Sequence, residues 1–473
     1  MSSVAQLPPH PPSRSADQTA RGRLLLAVLV VGYAATYGVL CWRRFATFHA
    51  QIDFSYYLRL IWGLAHGHAD LPLVQAKNVL GLHAEPVVLP LALLARLGVP
   101  LPPLLLGVQA LAVALVAWPA YRLGQRHVSP WLKAPLPGDS GGILAALLAL
   151  LYPTVTVATL HDFHPVTMAL APLLAVVDAL DERALGRALW LALLALLCRE
   201  DIALQLACLF TGFALLPTRR SGLSLRQRLM LLSVCVALLA YCMLYLLWIQ
   251  PRYVPKLGSY QLHFQRIAQA LGTPIASSRD LVLAALRHPL RTLWFFADRE
   301  RLLYPLIVVW PVAGLALVAP LSLLGALPIV AINFLSGFPN VLRLESHYTT
   351  AIVPFVLAAA IVGLGRALQA LQPSQAPTWR QHALLGIVFL AATSAHVWHG
   401  GSPLALRSAR FRVTLFFDGE NADQLRSQIA SVPAAASVAA RPGPLAHVVQ
   451  RPRAISPPEY DDGQPVDVVI MGE

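Results

Sequence analysis

Apolar runs long enough to cross a lipid bilayer recur along most of this 473-residue chain. A helix needs roughly 20 mostly apolar residues to cross the hydrocarbon core. Charged residues make up only 12% of the sequence and hydrophobic residues 57%, whereas about a quarter of the residues in soluble domains are charged. So few charges cannot cover a soluble surface. The composition therefore excludes a soluble enzyme, a fibrous protein and a disordered chain, and predicts a polytopic membrane protein.

The apolar runs predict an all-α membrane domain over residues 23–399, with about eleven transmembrane helices in a range of ten to thirteen. The spans must be helical because a segment in lipid has to satisfy its own backbone hydrogen bonds. The predicted spans are 24–41, 103–122, 141–160, 166–182, 187–198, 200–216, 229–249, 302–318, 320–337, 348–366 and 382–398. Residues 86–98 are apolar but short, and are predicted to form a re-entrant or juxtamembrane helix.

The basic residues predict the orientation of the chain. The formal net charge is +13, and the short loops between predicted spans carry arginines such as Arg122, Arg183 and Arg366. Short basic loops face the cytoplasm. This pattern predicts an N-terminus in the cytoplasm and a C-terminus outside. Because no basic stripe lies on a soluble domain, we expect membrane lipid and not nucleic acid as the partner.

The segments outside the spans divide the chain further. Residues 1–22 are polar and rich in proline and serine, which predicts a disordered cytoplasmic lead. Two long outer loops are predicted at 42–85 and 250–301. Residues 400–473 are predicted to form a small extracytoplasmic αβ domain. Its predicted elements are strands at 412–417 and 466–471 and a helix near 420–431.

Five polar clusters interrupt the apolar pattern, and all of them map to the predicted outer side. They are Asp53; His83 with Glu85; His161, Asp162 and His164; Arg199, Glu200 and Asp201; and Glu345, His347 and Tyr348. Ionisable groups at membrane depth are costly and usually functional. Structural readings stay open for each cluster: Asp53 could be a helix N-cap, Arg199 could pair with a neighbouring carboxylate, and the others could be polar turns.

The residue types in these clusters suggest particular chemistry. A carboxylate such as Asp53 can act as a general base or hold a metal ion. The two imidazoles and the carboxylate at 161–164 could bind a metal or a phosphate, although their spacing matches no standard zinc signature. An arginine at a span junction suits phosphate capture. If a divalent metal ion binds, the candidate ligands are His83, Glu85, Asp162 and His164.

The same clusters carry a family resemblance. The relevant segments are Ile52-Asp53-Phe54, Gly81 to Pro86, Asp162 to Pro165, Arg199 to Asp201, and His347-Tyr348 with Pro354-Phe355. With these segments, the sequence resembles the prokaryotic integral membrane proteins catalogued as domain of unknown function 2079, from about residue 30 to the end. That family is similar to the GT-C glycosyltransferases, membrane enzymes that take sugars from polyprenyl-phosphate donors on the outer face.

The resemblance implies a GT-C-like fold and a sugar transfer with inversion. It makes Asp53, in the first outer loop, and Asp162, in the second, the catalytic candidates. The implied substrate-binding residues are His83, Glu85, His161, His164, Arg199, Glu200, Asp201, His347 and Tyr348. The turn at 161–164 departs from the acidic pair of such enzymes. The alternatives are a transporter or flippase for a lipid-linked or anionic solute, and a non-catalytic scaffold for envelope assembly.

Overall fold

The computed structural model is predominantly helical, with one small sheet near the C-terminus. It describes residues 16–69, 78–132, 138–216, 222–253, 259–275, 278–338, 340–372, 378–408, 410–419, 421–457 and 463–470. The first helix begins at Ala16, so the last residues of the predicted 1–22 lead are helical. Residues 1–15 of that lead lie outside the described part of the chain.

Twenty-two α-helices make up the described fold. The first eleven are α1 (Ala16–Ala46), α2 (Ile52–Ala65), α3 (Val88–Arg96), α4 (Leu101–Ala114), α5 (Ala117–His127), α6 (Ser140–Leu150), α7 (Pro153–Leu160), α8 (Pro165–Met168), α9 (Leu170–Asp181), α10 (Leu185–Leu196) and α11 (Ile202–Leu215). The others are α12 (Leu225–Leu244), α13 (Gln250–Tyr253), α14 (Ser259–Leu271), α15 (Ser278–Arg287), α16 (Pro289–Phe296), α17 (Arg299–Val309), α18 (Leu327–Leu335), α19 (Val353–Ala370), α20 (Trp379–His399), α21 (Ala422–Ser431) and α22 (Pro442–Val448).

Five helical segments in the described residues are long and apolar enough to cross a membrane. They are Ala20–Ala46, Leu101–Trp131, Leu225–Tyr253, His347–Ala370 and Trp379–His399. The pair α6 and α7, bent by 53°, makes a sixth if it is one span. These segments confirm a multi-pass membrane protein. The other predicted spans coincide with shorter helices, so the count of eleven stays a prediction.

The segment predicted as two spans at 302–337 is broken into short pieces. Between α17 and α18 lie three 3₁₀ turns, Trp310–Val312, Leu315–Val318 and Pro320–Gly325. The break has two local causes. Ala313 and Gly314 have positive φ values, and proline cannot donate the backbone hydrogen bond that a continuing helix needs. Hydropathy does not detect either cause.

Segment 86–98 forms one short helix, as its length suggests. Helix α3 has nine residues, which at 1.5 Å per residue span about 13 Å, less than half of a bilayer core. Its outer surface is apolar, because Leu89, Leu93 and Leu97 are exposed. These features agree with a juxtamembrane helix.

The C-terminal segment contains a three-stranded parallel sheet. The strands are β1 (Val438–Ala440), β2 (Ala454–Ile455) and β3 (Val468–Ile470), in the order β2-β1-β3. The helix predicted near 420–431 is α21, and β3 lies within the predicted strand at 466–471. The strand predicted at 412–417 is wrong, because Val413–Phe416 forms a 3₁₀ turn. The Thr47 hydroxyl, just after α1, donates to the Leu415 carbonyl oxygen in this turn at 2.9 Å. This hydrogen bond joins the turn to the end of α1.

This C-terminal segment packs directly on the loop after α1 and on α2. The His447 ring stacks on Phe45 at 4.1 Å between centroids, and the Ser55 hydroxyl donates to the Pro442 carbonyl oxygen at 3.4 Å. The backbone approach is very close at Gly443, where an added Cβ would lie 1.8 Å from the Phe48 carbonyl oxygen. The αβ segment therefore shares a core with α2.

Candidate functional site

The turn between α7 and α8 carries His161, Asp162 and His164, and a buried glutamine of α4 fixes it. The Gln109 amide donates to the carbonyl oxygens of His161 and Asp162 at 3.1 and 3.3 Å. Its Oε1 accepts from the backbone N–H of His164 at 2.8 Å and from the Thr167 hydroxyl at 3.0 Å. Because Gln109 is 1% exposed, it can hold the turn in one conformation. A glutamine inside an apolar span is the signal that could have revealed this role.

Asp162 joins this turn to the start of α2. Its Oδ2 accepts the backbone N–H of Gln51 at 2.7 Å, and the residue is 4% exposed. Burial raises the pKa of Asp162, and the nearby Arg44 partly lowers it again. The geometry gives Asp162 a positioning role, because its carboxylate accepts the backbone N–H of Gln51, the N-cap residue of α2.

Asp53 lies in the first turn of α2, one turn before Tyr57. The N-cap position belongs to Gln51 and not to Asp53, so the N-cap reading of Asp53 does not hold. The Asp53 carboxylate is 40% exposed, and its Oδ2 lies 3.4 Å from His164 Nε2. Burial raises the pKa of Asp53, but the hydrogen bond and charge of His164 outweigh it and leave the pKa below its usual value.

Three histidines meet beside Asp53. One ligand nitrogen each of His161, His164 and His347 lies within 4.8 Å of the other two. The His164 and His347 rings stack at 4.5 Å, and His347 contacts Tyr348 at 4.1 Å. Burial and the two neighbouring imidazoles hold the pKa of His161 well below its usual value. Burial also lowers the pKa of His164, but Asp53 outweighs it and raises the pKa overall.

Tyr57 links this cluster to the 83–87 segment. Its ring lies 5.7 Å from that of His164, and its hydroxyl donates to Glu85 Oε1 at 3.1 Å. Burial raises the pKa of Glu85 to about 7, although His83 acts in the opposite direction. Sequence reasoning could have found Tyr57 from its spacing. It follows Asp53 by four residues, and residues four apart lie on the same face of a helix.

The 83–87 segment is bound to the junction between α10 and α11. Glu200 accepts from the backbone N–H of Ala84 at 2.9 Å, and its other oxygen lies 2.9 Å from His83 Nδ1. Burial lowers the pKa of His83, but the charge of Glu200 outweighs it and raises the pKa to about 9. Arg199 binds Asp201 through two hydrogen bonds of 2.7 and 2.6 Å. The structural reading of Arg199 as half of an ion pair therefore agrees with the geometry.

The structure thus brings the predicted polar clusters to one end of the helices. Glu345 of the fifth cluster lies 2.6 Å from His399 of α20, while His347 and Tyr348 join the histidines. The metal set suggested by the sequence is divided. His164 lies in the histidine cluster, whereas His83, Glu85 and Asp162 are bound to Glu200, Tyr57 and Gln51. The three-histidine set combines residues far apart in sequence.

A basic pocket opens beside His161, between the membrane helices and the C-terminal segment. Its volume is about 280 Å³. It is lined by Arg44, His49, Gln51, Val157, Leu160, His161, Arg410, Arg412 and Leu415. Arg44 is 8% exposed and donates to the Leu160 carbonyl oxygen at 2.8 Å. Three arginines around one small space favour an anion, above all a phosphate.

A comparison with protein families places this site in a known group. The family model described as "Predicted membrane protein (DUF2079)" matches residues 44–470. The chain belongs to the DUF2079 family. The match includes every polar cluster named above, the basic pocket and the three-stranded sheet, so the site and the C-terminal segment are both within the family region. No curated protein matches the chain.

Proposed function

We propose that this DUF2079 protein is a membrane glycosyltransferase of the GT-C kind. It transfers a sugar from a polyprenyl-phosphate donor to an envelope acceptor on the outer face of the bacterial inner membrane. The observation that carries the proposal is the pairing of a half-exposed carboxylate, Asp53, with an arginine-lined pocket that shares His161 with the adjacent histidine cluster.

In the proposed reaction, Asp53 takes the proton of the acceptor hydroxyl, whose oxygen attacks the anomeric carbon of the sugar. The bond from that carbon to the phosphate oxygen breaks, and the lipid phosphate leaves with the electron pair. A general base of this kind contributes about 10²–10⁴-fold to a rate. Attack opposite to the leaving group inverts the anomeric carbon.

The leaving phosphate needs positive charge near the oxygen that it gains. The sequence suggests Arg199 for this role, but the carboxylate of Asp201 binds Arg199 and neutralises its charge. Arg44, Arg410 and Arg412 line the basic pocket instead, and Arg44 donates there to the neutral carbonyl oxygens of His49 and Leu160. We therefore assign the donor phosphate to the basic pocket, and a supporting role to Arg199.

The interior of the bundle argues against the transporter alternative. A second charged cluster, in which Arg122 and Arg126 of α5 contact Asp178 of α9, lies at the opposite end of the helices from the site. Between the two clusters, the described residues of α4, α5 and α9 pack through a fully buried apolar core; they include Val113, Ala117, Leu170, Leu173 and Leu174. A solute path across the membrane needs polar lining residues.

The test uses a deletion strain complemented with wild-type protein, Asp53→Asn or Asp423→Asn. Asp423 is a matched control, because it lies in the first turn of α21 and its side chain is 98% exposed. Mass spectrometry of lipid-linked and envelope glycans should show a missing product in the deletion strain, restored by the wild type and by Asp423→Asn only. An unchanged glycan profile in the deletion strain, or full rescue by Asp53→Asn, would contradict the proposal.

A further inference from the structure

The three histidines beside Asp53 come from two separate parts of the chain. His161 and His164 lie on the turn between α7 and α8, and His347 begins the 3₁₀ turn His347–Ile352 before α19. One ligand nitrogen of each lies within 4.8 Å of the others. Nitrogen ligands bound to one zinc ion at about 2.0–2.1 Å in a tetrahedral arrangement lie about 3.3 Å apart. Rotation of the rings, of which His164 and His347 are stacked, would bring the three nitrogens to one ion.

The hydrogen bond of His164 Nδ1 leaves Nε2 as the nitrogen that can bind a metal ion. Its Nδ1 lies 2.8 Å from the Asp162 carbonyl oxygen, which can only accept, so Nδ1 carries a proton and, in the neutral ring, Nε2 has a lone pair for a metal ion. Histidines that bind metals commonly donate their other ring nitrogen to a carbonyl or carboxylate in this way. Asp162 thus supports the ring through its backbone while its side chain holds α2.

The contact between His164 and Asp53 has the length expected for two ligands of one ion. His164 Nε2 and Asp53 Oδ2 are 3.4 Å apart, close to the tetrahedral ligand separation of about 3.3 Å. Without a metal ion, a proton on Nε2 makes this contact an ion pair with Asp53, and a bound metal ion would take the place of that proton. The second oxygen of Asp53 remains available for an acceptor hydroxyl.

His161 supplies an independent observation. Its Nδ1 is buried and has no hydrogen-bond partner among the described residues. Buried polar atoms in native proteins nearly always have a partner, and a bound ion is one of the recognised explanations of an apparent exception. A metal ion bound through Nδ1 would satisfy this atom.

We propose that His161, His164 and His347, with Asp53 as fourth ligand, bind one divalent transition-metal ion, zinc being the best match. Imidazole nitrogens suit zinc and its neighbours, whereas magnesium and calcium prefer oxygen ligands. The site differs from the carboxylate-rich set that the sequence suggests. The proposal does not depend on the glycosyltransferase assignment, because it concerns binding alone.

The test measures metal on the purified full-length protein in detergent. After expression with added zinc and removal of loosely bound ions, elemental analysis should give about one zinc per chain. The metal-free protein, titrated with cobalt(II) alone, should develop the intense visible bands of a tetrahedral ion. His161→Gln and His347→Gln should each weaken binding at least about tenfold, whereas His49→Gln, a control in the neighbouring pocket, should bind like the wild type.

Size-exclusion profiles and unfolding midpoints show which variants are folded, and the cobalt spectrum of the wild type stands even if a variant fails to fold. No stoichiometric zinc in the wild type, a cobalt spectrum like that of the aqueous ion, or equal binding by folded His161→Gln and His347→Gln would each overturn the proposal. The outcome is separable from the proposed reaction. Zinc binding without sugar transfer removes only the glycosyltransferase proposal, and sugar transfer by a protein that binds no zinc removes only the metal site.

Discussion

The backbone N–H of Gln51 lies 2.7 Å from the carboxylate of Asp162, 111 residues further along the chain. This contact fixes the start of α2, and with it Asp53, against the turn that carries His161 and His164. The carboxylate therefore acts on the site through the position of α2. This role makes a specific prediction about its substitution.

Asp162→Ala should lower both stability and activity, whereas Asp162→Asn should be mild. Alanine removes the acceptor of the partly buried Gln51 N–H, which costs about 1 kcal/mol, while the asparagine oxygen can still accept it. Thermal unfolding in detergent and product formation measure the two effects. If Asp162 acted as a base, Asn would abolish activity at unchanged stability, which is the outcome that contradicts a positioning role.

Asp53→Asn should lower the rate of transfer by about 10²–10⁴-fold, while the protein still folds and inserts into the membrane. The N-cap of α2 is Gln51, so helix capping does not depend on Asp53, and the substitution is nearly isosteric. Initial rates with purified protein give the loss, and Asp423→Asn serves as the control. A rate within a few-fold of the wild type would remove Asp53 from the mechanism.

Gln109→Leu should destabilise the protein by about 3 kcal/mol or more. The change keeps the volume of the side chain but leaves the His164 N–H, the Thr167 hydroxyl and two carbonyl oxygens without their partner, and each unsatisfied buried group costs about 1–3 kcal/mol. Gln369→Leu is the matched control, because Gln369 is exposed on α19. Equal unfolding midpoints for the two variants would show that Gln109 does not hold the turn.

Glu85 should make stability depend on pH between about 4.5 and 7. Its pKa is raised from 4.5 to about 7, so folding favours the protonated form. The stabilisation is complete below pH 4.5 and is lost as the pH rises through 7, a change on the order of 3 kcal/mol. Glu85→Gln mimics the protonated form, and should match the wild type at low pH and exceed it at pH 8.

Unfolding midpoints across this pH range measure the effect. Glu300→Gln is the control, since Glu300 is 62% exposed and should leave the wild-type profile unchanged. Parallel profiles for the wild type and Glu85→Gln would show that Glu85 titrates near its ordinary value.

The C-terminus should lie outside the cytoplasm. The short arginine-rich loops support this orientation, and it places the basic pocket and Asp53 on the face where a lipid-linked donor is used. Alkaline phosphatase fused after Glu473 should be active, and a fluorescent protein at the same point should stay dark. The reverse pattern would move the site to the cytoplasmic face.

The sequence indicated that these polar residues lie on the same side of the membrane, but it did not indicate which of them form hydrogen bonds with one another. Asp53, Glu85, His164 and Glu200 each lie at an end of an apolar helix, and the charge pattern placed those ends on one side. Their individual partners depend on side-chain geometry that sequence does not contain. The pairing of His83 with Glu200, 117 residues apart, is one such case.

Two further differences between the prediction and the structure have specific causes. The hydropathy of 302–337 suggested two continuous spans, but the positive φ values at Ala313 and Gly314 break the helix. Gln109 is not among the residues that the sequence analysis selected, because its role depends on a turn more than 50 residues away. Both differences depend on the backbone: its conformation at Ala313 and Gly314, and its hydrogen bonds to Gln109 in the turn at 161–164. The hydropathy pattern of the sequence reveals neither.

The packing of α22 on α2 has a consequence for biosynthesis. The membrane helices are synthesised and inserted in order, and residues 410–448 emerge after all of them. Arg410 and Arg412 complete the basic pocket, and the contact of Gly443 with Phe48 completes the support of α2. A nascent chain that already contains every transmembrane helix therefore still lacks one wall of its own site. With the proposed topology, the site is therefore complete only after residues 410–448 have been translocated and have folded back onto the end of α1 and the start of α2.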